Sequence, residues 1–115
     1  MSDCSSDVRA RRRRVEVGNV AIFRDVEPTK EQALKPFEEA AGVFGAWQAW
    51  DKSGRMDDAT GIPNSPRTLE ARDALLDECA DAIQAVCNLA ASLGVRDMTD
   101  RMHECRKRNE ERGRM

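Results

Sequence analysis

The 115-residue chain is the size of one domain with a single core, and small enough that association with another copy would help it bury apolar surface. Charged residues make up 35 % and aromatics 4 %, a balance that suits amphipathic helices rather than a sandwich of strands, and no stretch approaches the ~20 apolar residues of a membrane span. The formal net charge of −2 is unevenly spread: residues 1–14 hold five arginines against Asp3 and Asp7, a local +3, and the acidic remainder carries −5, a poor nucleic-acid surface but a natural place for metal cations.

Residues 1–14, "MSDCSSDVRARRRR", lack an apolar period and read as a basic arm, disordered or loosely held. The arm reads as a solvated tail, with contact to an acidic partner or to nucleic acid as the alternative, although it lacks the interleaved aromatics and any motif of a sequence reader. No apolar signal segment follows the arginines, so a cytoplasmic protein is expected. Residues 15–115 then form one helical domain. In "VEVGNVAIF", Val15 and Val17 alternate with a polar residue and Gly18-Asn19 suits a turn, which predicts a short β or irregular segment.

Thr29 and Gln32 in "TKEQ" make a capping box, so a helix starts there. Pro36 either kinks that helix or marks its true start. Ala40, Val43, Phe44 and Trp47 recur at helical spacing until "DKSG", after which Gly, Pro, Asp, Asn and Ser predict a long loop over 51–65. Ser65-Pro66 is an N-cap with proline in the first helical position, opening a second helix that runs to about Leu93 and stops at Gly94. Its broad apolar face holds Leu75, Leu76, Cys79, Ile83, Val86, Cys87 and Ala90. Asp97 or Thr99 caps a third helix ending at Gly113 in a basic last turn. The expected fold is therefore an all-α helical hairpin or bundle, completed by oligomerisation. The four cysteines form no CxxC pair and read as buried, reduced thiols, and His103, with no nucleophile in its context, reads as a surface or packing residue.

The chemistry-bearing residues lie on the first two helices. Glu78 and Asp81 are three apart and share a face, and helical steps along that stripe pass Ala85 and reach Asn88. Glu38 and Glu39 precede Gly42 by four and three residues within one sector of the first helix. Antiparallel packing would set the two seams face to face. Carboxylates gathered this way repel unless a cation sits among them or some are protonated. All-oxygen ligation selects a hard ion such as Mg²⁺, which favours phosphate oxygens as further ligands. The alternative is an ordinary solvated acidic face.

Together, "EEAAGVFGAWQAW", "LLDECADAIQAVCNLAASLGV" and the tail "CRKRNEERGRM" resemble the MazG-like family of all-α nucleoside triphosphate pyrophosphohydrolases, over roughly residues 34–114. The family motif is EExxE, a spacer, then ExxD, with a basic, asparagine-bearing C-terminal helix. Glu38 and Glu39 match the EE, and Glu78 and Asp81 match the ExxD. The resemblance implies hydrolysis of a (d)NTP to (d)NMP and pyrophosphate by a homodimer or homotetramer that uses Mg²⁺, or Mn²⁺ in its place. It further implies metal ligation by Glu39, Glu78 and Asp81, with Glu38 as base or as an orienter of the ligands. Arg108 and Asn109 would lie near the phosphates, with Arg112 assisting, Asn88 would line the pocket, and Trp47 would stack on the base. For Trp47 and Trp50 the alternative is core packing.

One position departs from the motif. Gly42 stands where the last glutamate of EExxE, a metal ligand by the family's pattern, is expected, and a helical glycine costs about 1 kcal/mol relative to alanine. Glu38 or an acid of "MDDAT" supplies the missing oxygen, or water does, or the chain is a catalytically silent bundle that binds nucleotide or a protein without turnover. Gly42 also fits close helix contact, because Ala40, Ala41, Gly45, Ala46 and Ala49 make the same helix thin.

Overall fold

The computed structural model describes residues 13–115, so the arginine arm, apart from Arg13 and Arg14, lies outside the described residues, as does Cys4. Three helices follow one another: α1 (Lys30–Thr60), α2 (Pro66–Ser92) and α3 (Thr99–Glu111). The fold is all-α, with no strand among the described residues; residues 15–28 are irregular. Among them, too, no helix is long and apolar enough to cross a membrane.

Thr29 caps α1, its Oγ1 accepting from the Gln32 N–H at 3.2 Å, and the helix runs on through Pro36. It then continues to Thr60, ten residues into the stretch whose composition predicts a loop, so the connection is only residues 61–65. The reason lies in where the turn-forming side chains go. Ser, Thr and Asp disfavour helix when they bond their own backbone. Here Ser53 and Asp57 reach across to the start of α2 instead, and Arg55 and Asp51 pair along the helix at 3.0 Å. Gly61, at φ 73°, then ends α1, and the Ile62 N–H reaching the Asp57 carbonyl at 3.1 Å closes a Schellman turn.

Asp57, only 4 % exposed, holds the hairpin's turn end together. Its Oδ2 accepts from the Thr68 hydroxyl at 2.6 Å and from the Ser65 N–H at 3.0 Å. Thr68 also shares a 2.7 Å hydrogen bond with Ser53, to which the Arg67 Nε–H donates at 3.1 Å. Ser65 in turn caps α2, with Pro66 in the first turn as its sequence predicts. Hydrogen bonds from Thr68 and then Ser65, with a smaller contribution from the Arg67 charge, hold the Asp57 carboxyl below its ordinary value of 3.8.

At the other end of α2, Gly94 at φ 81° turns the chain, with the Val95 N–H bonding the Ala90 carbonyl at 3.1 Å. Neither Asp97 nor Thr99 is the N-cap of α3: Met98 occupies that position without a side-chain bond. Asp97 instead closes a local turn, its Oδ1 accepting from the Thr99 N–H and hydroxyl at 2.9 and 2.6 Å.

α1 and α2 pack antiparallel: Ser53 meets Thr68, Gly42 meets Glu78, and Glu39 meets Asp81. Their interior is small and polar. Ala85 is the single buried apolar side chain among the described residues, beside buried Ser53, Asp57, Thr68 and Asn88. The broad apolar face expected to form the core of α2 is divided. Leu75, Cys79, Cys87 and Ala90 are half-buried, but Leu76, Ile83 and Val86 are exposed, because α2 turns its Glu78–Asp81–Ala85–Asn88 stripe toward α1 instead. Phe37 and Phe44 on α1 are likewise 75 % and 59 % exposed, so both helices keep apolar surface uncovered within one chain. α3 packs against neither of them.

Candidate functional site

Midway along the hairpin, carboxylate oxygens of Glu39 on α1 and of Glu78 and Asp81 on α2 all lie within 4.8 Å of one another. The i, i+3 spacing of Glu78 and Asp81 puts both on the face turned toward α1, and the antiparallel register brings Glu39 opposite. Glu39 and Glu78 are half-buried and Asp81 is exposed. No lysine or arginine among the described residues forms an ion pair with any of the three. Three like charges at this range repel, and a small divalent cation among them would relieve that repulsion. The donor set is all oxygen, which fits Mg²⁺ or Mn²⁺.

Gly42 belongs to this cluster without contributing a ligand. A Cβ at position 42 would lie 2.6 Å from Glu78 Oε2, and the Glu78 carboxylate alone comes within 4 Å of it. What approaches Gly42 is therefore a carboxylate, not a neighbouring backbone. The expectation of close helix contact is corrected accordingly: the absent side chain leaves the space into which Glu78 extends. At Gly45, in the same thin stretch, nothing lies within 4 Å.

The other candidate residues are distributed differently. Glu38 is not part of the converging trio and pairs with Lys35 at 3.1 Å in an exposed i, i+3 contact. The acids of "MDDAT" do not reach the trio, since they lie on the last turns of α1 and Asp57 is committed to the hairpin's turn. Trp47 stacks on Phe44, ring centroids 6.0 Å apart, and lines a separate groove with Asp51, Arg55 and Met56. Arg108, Asn109 and Arg112 belong to α3 and its C-cap, away from the hairpin of the same chain. Asn109 is occupied locally, donating to the Cys105 carbonyl at 3.0 Å and accepting from Arg114 at 3.2 Å. Asn88 is brought to the site. It lines a cavity of about 270 Å³ that also includes Glu39 and Asp81.

The cavity is also lined by Thr29, Glu31, Gln32 and Lys35 at the start of α1 and by Gln84 and Phe23, none of which is expected at the site from the sequence. Gln84 falls three residues after Asp81 on the same stripe, a spacing that could have found it. Phe23 sits in the irregular segment before α1, which folds back over α2: the Phe23 N–H donates to Asn88 Oδ1 at 3.2 Å, and Gln84 Nε2 donates to the Ala21 carbonyl at 2.8 Å. No local period marks such a contact, because its partners are 65 and 63 residues away. Comparisons with protein-family models, with curated proteins and with solved structures give no match.

Proposed function

We propose that the protein is a Mg²⁺-dependent nucleotide pyrophosphohydrolase of the MazG-like type, converting a (d)NTP to (d)NMP and pyrophosphate. The observation that carries this reading is the convergence of Glu39, Glu78 and Asp81 from two helices at the edge of a cavity. These three residues would hold the ion, and Mn²⁺ suits the same oxygen ligands. When bound, the metal supplies neutralisation of phosphate charge and acidification of a water. Glu38 is available as base or orienter, because an exposed ion pair such as Lys35–Glu38 is weak and readily exchanged.

The reading includes a homodimer or homotetramer in the cytoplasm. Its support is the uncovered apolar surface of the hairpin, with Leu69, Leu76 and Ile83 spaced by seven on α2 and Phe37 and Phe44 by seven on α1. A second copy would also explain the position of α3. The hairpin over residues 29–95 has eleven acidic and six basic side chains, whereas residues 99–115 have four acidic and six basic, so Arg108 and Arg112 would complement the acidic site of a neighbouring chain.

The test follows pyrophosphate released from a panel of nucleoside triphosphates in Mg²⁺ or Mn²⁺. At least one substrate is expected to turn over, and Glu78→Ala and Asp81→Ala each to lower the rate by roughly 100-fold or more, as loss of a ligand to a catalytic ion does. Release unchanged in both variants would remove the proposed mechanism. Thermal stabilisation by nucleotide without turnover would instead favour the silent bundle, for which the missing carboxylate at Gly42 is the motivating observation.

A further inference from the structure

Residues 15–28 lie outside the three helices, yet part of this segment is held at the cavity. Thr29, which follows it, caps α1, whereas Ala21 and Phe23 are bonded to Gln84 and Asn88 on α2. Residues 24–28 therefore cross from one helix to the other, at the end of the hairpin remote from the Asp57 turn. Phe23 and Thr29 both line the cavity that includes Glu39 and Asp81, so the two ends of the crossing are part of its wall.

The attachment is slight. Among the described residues, hydrogen bonds at 3.2 and 2.8 Å join residues 15–28 to α2, and no ion pair adds to them. Val20 and Val26 are half-buried, but every residue from Ala21 to Asp25 is exposed, so the segment covers little apolar surface. Each bond is a modest net stabiliser, because water replaces it when the segment lifts. The receiving side needs no segment to stay paired: Gln84 Nε2 also donates to Asn88 Oδ1 at 2.9 Å, an i, i+4 contact within α2. A segment held by so few contacts, over a receiver that keeps a partner without it, belongs to the readily opened part of a fold.

We propose that residues 20–28 are a releasable strap, pivoting at the α1 cap and caught by Gln84 and Asn88, that closes the cavity until a polyphosphate anion carried by the ion displaces it. The assignment rests on the nucleotide reading above for the class of the anion. The strap is a competitor built into the chain, and the anion's apparent affinity is reduced by the fraction of molecules in which it is closed. The ion itself is spared this competition, since Asp81 is exposed and no strap residue belongs to the trio.

The test uses the full chain, with inorganic tripolyphosphate in Mg²⁺ as the probe. Phe23→Pro removes both the ring and the N–H that bonds Asn88, whereas Phe23→Ala removes the ring alone. The side chain is 63 % exposed and lies outside the helices, so neither change alters the packing of the hairpin. Phe23→Pro is expected to bind tripolyphosphate roughly fivefold more tightly than Phe23→Ala, the worth of one net hydrogen bond, while Mn²⁺ alone binds both equally. In the native chain, nuclear Overhauser contacts from residues 21–23 to the Gln84 and Asn88 side chains are expected in Mg²⁺ alone and should vanish on saturation with tripolyphosphate. Contacts that survive saturation, equal tripolyphosphate affinity of the two variants, a parallel gain for Mn²⁺ alone, or failure of tripolyphosphate to bind would each overturn the strap. Displacement without nucleotide turnover would keep the strap and remove the hydrolase; Glu78-dependent turnover with the contacts intact would do the reverse.

Discussion

Gly42→Ala is expected to raise the melting temperature while weakening the binding of Mn²⁺ or Mg²⁺, two effects of opposite sign from one methyl group. Position 42 lies in the interior of α1, where alanine is favoured over glycine by about 1 kcal/mol, worth roughly 4 to 8 °C in a domain of this size. The same methyl would fall 2.6 Å from Glu78 Oε2, closer than van der Waals contact allows. Glu78 is a flexible side chain, so the clash resolves by moving the carboxylate away from Glu39 and Asp81 and not by parting the helices. Displacing one of the three proposed ligands should weaken the ion about tenfold or more, a loss of the size seen when the support of a metal ligand is removed. Thermal scans in EDTA and a Mn²⁺ titration of the same two proteins check both halves. A stabilised variant with unchanged metal affinity would show that the space at Gly42 does not set the position of Glu78.

The second large effect lies at the turn. Asp57→Asn keeps the shape of the side chain but removes the charge that the Thr68 hydroxyl and Ser65 amide bond, so the melting temperature at neutral pH is expected to fall by on the order of 10 °C. The pH dependence fixes the cause. The carboxyl of Asp57 is held below its ordinary value of 3.8 by those hydrogen bonds, so the stability it contributes is fully present above that value and is lost as the pH falls through the lower, folded one. The gap between the native chain and Asp57→Asn should therefore stay constant from pH about 7 to about 5 and narrow on further acidification. A gap that did not change with pH would assign the effect to packing instead of charge.

Both sites show what could be read from the sequence and what could not. The helix starts at Thr29 and Ser65, the stops at Gly94 and Gly113, and the all-α class follow from local capping chemistry, which depends on residues a few positions apart. The facing of Glu39 toward Glu78 and Asp81 follows from helical period plus an antiparallel hairpin. The predicted loop over 51–65 fails where side chains act at longer range. Ser53 and Asp57 look like loop formers until Thr68 and Ser65 are known to be their partners. Gly42 is an oddity of propensity along its own helix, and the carboxylate that uses its space comes from 36 residues away. Phe23 was invisible for the same reason.

The tie between Phe23 and Asn88 also sets a clock. The Phe23 amide sits in an irregular segment whose neighbours are exposed, yet its hydrogen is held by the carbonyl of a side chain that is 3 % exposed. Its exchange with solvent deuterium must wait for the segment to lift off α2, so it should be protected relative to the amides on either side, and Asn88→Ala should remove that protection. At a pH high enough for intrinsic exchange to outpace reclosing, the rate measured at this one amide is then the opening rate of the segment itself.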